Sequence, residues 1–551
     1  MGIWVFAIAC AAFLLTLTAF AAAALCRAGS RLWFWAALVL WWLCAGGVSC
    51  AIASKEWFSV HQEFSYPSYV PHLLFMVLAT VLGIPVLAVR ARLKLFGRPD
   101  GENWPLLPLL GACCVLLIVN VAMIGELDAA ARSLARMARP QVDSAYLKLL
   151  GPDPAEADNA AELYRQAFLL CRQTIEAADS EARQSSLESA TTAPVDAEKR
   201  SLLLPSPMLG DPAYAQSPQL LALVARLQPV IRLAHQAAVK PSCRMEKITE
   251  APTISRPLPY LAGFRQVATT LYSDALVAVH DGRTENALSD LIVLRRLEQH
   301  VQQSDRREFP LLVSLEIGQL ANHAIAAVLP SMAVVPANAQ WLIRDDSAIK
   351  ADVLVGLRGE ELATTATLLD LAEGKLDANI SGMGRAAGLY RVLYLASDLD
   401  AARLLFDAAR APIEDRKVDV RWLDVEHAPM SMPAKRLIPP LSLLTRSKCP
   451  EYLATTRCAS LCIALTQYRL AHGNYPTALD ELVPTYIAAI PSDPFDDKPL
   501  RYRVEGGAAV VYSIGSDLRD DGGKISSPTG APRAAEDIGL ELKLPDSPSA
   551  R

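Results

Sequence analysis

Hydrophobic and polar positions are unevenly distributed along this chain. Four uninterrupted apolar runs stand near the N-terminus, at about Ile3–Leu25, Leu32–Ala53, Val70–Val89 and Leu106–Gly125, and none holds an acid, Lys or Arg. Each is close to the ~20 residues that cross a bilayer as a helix. Trp33, Trp35, Trp41, Trp42, Trp57 and Trp104 cluster in or beside them, as in an interfacial aromatic belt. The first run is too long for a signal-peptide core and lacks a basic flank, so it reads as a true span. The prediction is a four-helix transmembrane region over residues 1–126.

From Asp128 to about Arg410 the apolar residues recur every three or four positions, which predicts helices and little strand. Tyr164, Ala167, Phe168 and Cys171 form one face. The polar, Ser/Ala/Pro-rich stretch from about 176 to 211 reads as a loop or mobile insertion. Between Leu258 and Leu329 a helix, the stop Asp281-Gly282-Arg283, a second helix capped by Thr284 and a third beginning at Pro310 are expected. The first two resemble one tetratricopeptide hairpin, without a second copy at a fixed period. Two more helices are expected at Ile349–Glu373 and Ala387–Ala411. The domain plan is therefore a helical, hairpin or solenoid-like extramembrane domain (127–419), a proline-punctuated linker (420–448), a C-terminal α+β unit (449–542) and a disordered tail (543–551).

Charge and composition sharpen this picture. Only 20% of residues are charged, against about 25% in ordinary domains, and the net charge is −5. No Lys/Arg block suits a nucleic acid, and none is expected as a partner. Arg27, Arg31, Arg90, Arg92, Lys94 and Arg98 lie in the first and third loops. Lys55 stands alone in the second, with Arg132, Arg136 and Arg139 after the fourth run. This balance places the N-terminus and the large C-terminal part outside the inner membrane.

No Gly-x-Ser-x-Gly, His-Glu-x-x-His or P-loop pattern occurs. Glu360-Glu361 with Asp370 and Glu373 reads as a solvated helix face. His235, His280, His300 and His323 read as structural or surface residues, and Cys171, Cys243, Cys449, Cys458 and Cys462 as buried thiols.

The most specific segment starts at Cys449. A helix ends in Tyr468-Arg469-Leu470-Ala471-His472-Gly473-Asn474-Tyr475-Pro476-Thr477. A short helix at Leu479–Val483 follows, then Asp493-Pro494-Phe495. Alternating runs at Leu500–Val504 and Ala508–Ile514, joined by Glu505-Gly506-Gly507, predict a β-hairpin. The texts YRLAHGNYPT, DPFDDKPLRY and YSIGSDLRDDGG…EDI resemble the globular domain of the type II secretion major pseudopilin, whose pattern is YRLDNGRYPT, DPWGNPYRY and YSxGADGxxGG…DI. The likeness covers about Cys449–Leu540. A short leader with a prepilin cleavage site and a single N-terminal helix is missing, so assembly by the pseudopilin route is not expected.

The resemblance implies calcium in the last loop, held by the Ile514 carbonyl, Asp517, Asp521 and Asp537, with Asp520 and Glu536 as alternates. Calcium takes six to eight oxygens on a loop that glycine turns sharply. The insertion Lys524–Ala535 separates the two halves of this set, and a solvated acidic turn is the alternative. Arg519 and Pro528 spoil an EF-hand match. The function expected is that of a multi-span membrane protein, not an enzyme, whose partners are the bilayer and envelope components of secretion or pilus type. The alternative is a membrane-anchored, metal-dependent hydrolase built from distant residues such as Glu426 and His427. Transport is disfavoured, because the runs carry no acid, Lys or Arg for ion coupling.

Overall fold

The computed structural model of the chain describes residues 106–189, 208–335, 339–376, 390–392, 394–414, 416, 430, 434–435, 441, 444–525 and 537–543. The described part is mainly helical, with one small antiparallel sheet. Its helices are α1 (Leu106–Leu150), α2 (Ala161–Ser189), α3 (Pro218–Ala238), α4 (Tyr260–His280), α5 (Thr284–Ser304), α6 (Glu308–Val328), α7 (Asp346–Glu373), α8 (Leu395–Arg410) and α9 (Cys449–His472). The strands are β1 (Arg501–Glu505), β2 (Ala508–Ser513) and β3 (Ile538–Leu542), in the order β1-β2-β3.

The first three apolar runs lie outside the described residues, and the fourth opens α1 at Leu106. The four-helix region thus rests on the sequence alone. Among the described residues one helix, Glu308–Ser331, is apolar and long enough to cross a membrane, but 72% of its apolar window is buried inside the protein. It is a core helix.

Two compact units divide the chain, one of Met1–Arg139 with Leu368–Asp400 and one of Pro140–Thr367 with Ala401–Arg551. Within the first, Asp128 pairs with Arg391 at 2.6 Å, and Arg139 donates to Asp370 at 2.6 Å.

The second unit is built in successive layers. Helices α2 and α3 pack on each other and on α4; α4, α5 and α6 pack side by side; α9 lies on α6, and β2 and β3 lie on α9. One continuous apolar core runs from Ala160 in the first layer to Leu542 in the last. The C-terminal unit expected as a separate domain from 449 therefore shares its interior with the helical body. The reason is visible in α9. Leu453, Ala454, Cys458, Ala459, Leu461, Cys462, Ile463 and Leu465 are buried over most of its circumference, and Arg457, Ser460 and Gln467 form a half-buried polar stripe, as befits a helix enclosed on two sides.

Local signals explain the element ends. Pro218 opens α3 behind Ser217, whose Oγ accepts from the Leu220 amide at 3.1 Å. Gly473 ends α9 at φ +86°, a left-handed conformation that costs glycine little. The α4–α5 turn closes through the Arg283 amide to the Ala278 carbonyl at 2.8 Å. Arg283, not Thr284, precedes the first turn of α5, and it gives no side-chain cap. The hairpin pairs Tyr502 with Val511, and Val511 with Leu540 beyond.

The stretch expected to be a loop or mobile insertion from 176 is helical through Ser189, and Met208 packs with Leu220 and Val224. Ala, Glu, Arg and Gln dominate 176–189 and favour helix despite the serines. A fork of Arg226 on Glu181, at 2.7 and 3.1 Å, ties that end of α2 to α3.

Candidate functional site

The acidic turn joins β2 to β3. Gly515, Leu518, Gly522 and Gly523 all take positive φ there, between 59° and 76°, so the chain folds tightly back on itself. Asp537 is fully buried. Its Oδ2 accepts from the Gly523 amide at 2.7 Å and its Oδ1 from the Asp521 amide at 3.3 Å. Asp520 accepts from the Gly522 amide at 2.9 Å and from the Tyr512 hydroxyl at 3.2 Å. Asp517 accepts from the Arg519 amide at 3.1 Å and is exposed.

Of the four residues expected to ligate calcium, the fold brings Asp521 and Asp537 together, while Asp517 serves its own turn. Glu536 lies outside the described residues. Among the described residues no three His, Cys, Asp or Glu side chains converge on a metal-sized point. The set is not a closed chelate, because peptide N–H groups engage both Asp537 oxygens and one oxygen each of Asp517 and Asp520. Two features still favour a positive partner. Asp521 Oδ2 is buried without a hydrogen bond, and burial pushes the Asp537 carboxyl up, with the Asp520 and Asp521 carboxylates adding to the shift.

Asp493 is the organising residue that sequence reasoning missed. It is fully buried, and it accepts from the Phe495 amide at 3.0 Å, the Ser513 hydroxyl at 2.8 Å and the Ile514 amide at 3.0 Å. Arg501 on β1 pairs with it at 2.5 Å. Asp493 thus pins both hairpin strands, β1 through Arg501 and β2 through Ser513. Beside it, Tyr502 donates to the Pro476 carbonyl at 2.9 Å. Glu481 gathers the Thr477 amide and hydroxyl at 2.7 Å each and the Tyr468 hydroxyl at 2.6 Å. These bonds hold the Glu481 carboxyl down at about 2.

A second polar centre lies where α5, α6 and α9 meet. Glu298, fully buried, accepts from Tyr452 at 2.6 Å, Arg344 at 2.8 Å and Arg295 at 3.2 Å. Arg295 also reaches the Leu342 carbonyl at 3.0 Å and Asn322. Asn322 donates to Thr455 and Thr456 at 3.2 and 3.1 Å. Gly318 makes room for this network, since a Cβ there would stand 2.5 Å from the Tyr452 hydroxyl. On the outer side a cleft of about 510 Å³ is lined by Arg344, Asp345, Asp346, Thr456, Arg457 and Ser492 among others. Its guanidinium groups are already engaged. Arg457 holds Asp346 at 2.7 Å and the Ser492 carbonyl at 2.7 Å, and Arg344 holds Glu298 and Asp352.

The remaining candidates resolve as follows. Glu360 and Glu361, read as solvated, are buried. Glu361 pairs with Arg358 and Arg410 at 2.7 Å each, and Glu360 accepts the Glu308 amide at 2.9 Å. His300 is enclosed between the Tyr164 hydroxyl at 2.9 Å and the Lys240 carbonyl at 3.1 Å. His235 contacts Asp290 at 2.6 Å and Ser289 at 3.4 Å. That last separation is longer than a nucleophile–base bond, and the chain of contacts serves to fix α3. All five described cysteines are free and buried, and burial pushes Cys243 and Cys449 up to about 12. Such thiols are poor nucleophiles. Glu426 and His427 lie outside the described residues. No family model, curated protein or solved structure matches the chain, so its site is defined by its own geometry.

Proposed function

We propose that this chain is a membrane-anchored binding protein without catalytic activity of its own. Four N-terminal spans hold it in the inner membrane, with the N-terminus and the helical body on the outer face. The C-terminal pseudopilin-like module serves as a contact point for envelope machinery of secretion or pilus type.

The observation that supports this most is the enclosure of α9 between α6 and the sheet. A pseudopilin-like helix covered by α6 on one side and by β2 and β3 on another is not available to polymerise, whereas the turns at its end and after β2 stay accessible. The module is therefore presented by the body as a fixed docking end. The test places a photo-reactive amino acid at Leu518, an exposed residue of the acidic turn, in the full chain within intact cells. Crosslinking to a secretion or pilus component is the expected result. Absence of any crosslinked protein partner would contradict it.

Calcium at the acidic turn is a narrower part of the same proposal, centred on the unpartnered Oδ2 of Asp521. Where bound, the ion would supply the positive charge that Asp520, Asp521 and Asp537 share. Calorimetry of the detergent-solubilised chain should show calcium binding that Asp521→Asn abolishes; a chain that takes up no calcium rejects this part alone.

A further inference from the structure

Three helices bring a second group of titratable side chains together, away from both polar centres. Helix α4 contributes Asp274, α5 contributes Asp290 and Ser289, and α3 contributes Gln228 and His235. Asp274 and Asp290 are both buried, with 5% and 2% of their surface exposed. Gln228 donates to Asp274 Oδ1 at 2.9 Å, and the His235 Nε2–H donates to Asp290 Oδ1 at 2.6 Å. These bonds leave Asp290 Oδ2 buried with no donor. A buried acceptor without a donor costs about 1–3 kcal/mol and is rare in folded proteins.

The group within hydrogen-bonding reach of Asp290 is the other carboxyl, that of Asp274. Two carboxylates cannot bond to each other unless one of them carries a proton. We propose that one proton, held between Asp274 and Asp290, completes the attachment of α3 to the α4–α5 hairpin and makes that attachment sensitive to pH. The proton sits on the Asp274 carboxyl and is donated to Asp290 Oδ2. When it leaves, two buried negative charges face each other, and the α3 side chains that bridge them, Gln228 and His235, lose their fixed frame.

Burial, followed by the Asp290 carboxylate, raises Asp274 from an ordinary 3.8 to about 6. Arg283, on the turn before α5, acts in the opposite direction. Because the closed state holds the proton more tightly, its advantage is full at low pH and is lost as pH rises through about 6. The displacement corresponds to a bias on the order of a hundredfold in the opening equilibrium.

Hydrogen exchange of the full chain in detergent, read on peptides from residues 218–238 and normalised to the intrinsic rate, tests this. Protection of α3 should be on the order of tenfold lower at pH 8 than at pH 5, because part of the bias is already lost between the ordinary 3.8 and pH 5, with α6 as the internal reference. Asp274→Asn supplies a permanent N–H donor to Asp290 and should hold α3 protected at both pH values. Asp290→Asn removes the facing charge from the other side and should do the same. Equal loss of protection in the native chain and in both variants, or no pH dependence in the native chain, overturns the proposal. So does restoration of protection at pH 8 by a divalent cation in the native chain, which would assign the gap to a metal ion.

Discussion

The Tyr452 hydroxyl donates to the Glu298 carboxylate at 2.6 Å across 154 residues of chain. This bond ties the C-terminal helix to the second helix of the α4–α5 hairpin. It lies where neither residue meets solvent, since both are fully buried. Burying a carboxylate is unfavourable unless donors surround it, and here Arg295 and Arg344 complete the shell.

Tyr452→Phe removes one donor and leaves the rest of the ring packing intact. It should cost about 1–3 kcal/mol in urea unfolding. Glu298→Gln should cost more, about 3–5 kcal/mol, because it strands two guanidinium groups that the carboxylate neutralises. Equal, near-zero effects of the two changes would show that the network contributes no net stability.

Asp493 has a comparable place in the hairpin. Asp493→Ala deprives the Ser513 hydroxyl, the Ile514 and Phe495 amides and Arg501 of their common acceptor. A loss of about 3–5 kcal/mol is expected, seen as a lower melting temperature. Asp493→Asn, which keeps one acceptor oxygen, should fall between the variant and the native chain.

Glu308 makes stability fall as pH rises between 4.5 and about 8. Burial, then the neighbouring Glu360 carboxylate, pushes it from an ordinary 4.5 up to about 8, and its Oε2 has no hydrogen-bond partner. The folded chain therefore holds this proton more tightly than the unfolded chain. Its contribution is full below the ordinary carboxylate range and declines by up to ~1.4 kcal/mol per pH unit as pH rises towards 8. Glu308→Gln cannot titrate. The stability difference between variant and native chain should grow over that interval and level off above it, as read from melting temperatures at a series of pH values. A constant difference would place the Glu308 carboxyl in contact with water.

The sequence is legible where a residue acts on its near neighbours. Gly473 ends a helix, Glu505-Gly506-Gly507 turns a hairpin, and periodic apolar residues from Leu261 to Val301 place two helices and the stop between them. It is opaque where polar side chains meet across the chain. Glu298 and Arg295 stand on α5 and Asn322 on α6, and nothing near them in the chain marks the bonds they make with α9. The apolar residues over most of α9 were the available signal, because a helix with so narrow a polar stripe needs cover on two sides. Asp493 was hidden for another reason. An Asp before Pro suits a turn, and nothing local reveals the buried hydroxyl and amides it serves. The acidic turn is legible in composition but not in arrangement, since peptide N–H groups rather than a closed ligand set satisfy Asp537.

The claim on which the rest depends is that the C-terminal module and the helical body share one interior. The chain carries its own reporters of this, because Cys171 and Cys243 are buried in the helical layers and Cys458 and Cys462 in α9. The most direct measurement is thiol labelling of the full chain across a urea series, with each cysteine resolved by mass spectrometry. Exposure of all four at the same urea concentration is the result this account predicts. Labelling of Cys458 and Cys462 at a lower concentration, while Cys171 and Cys243 stay protected, would contradict it.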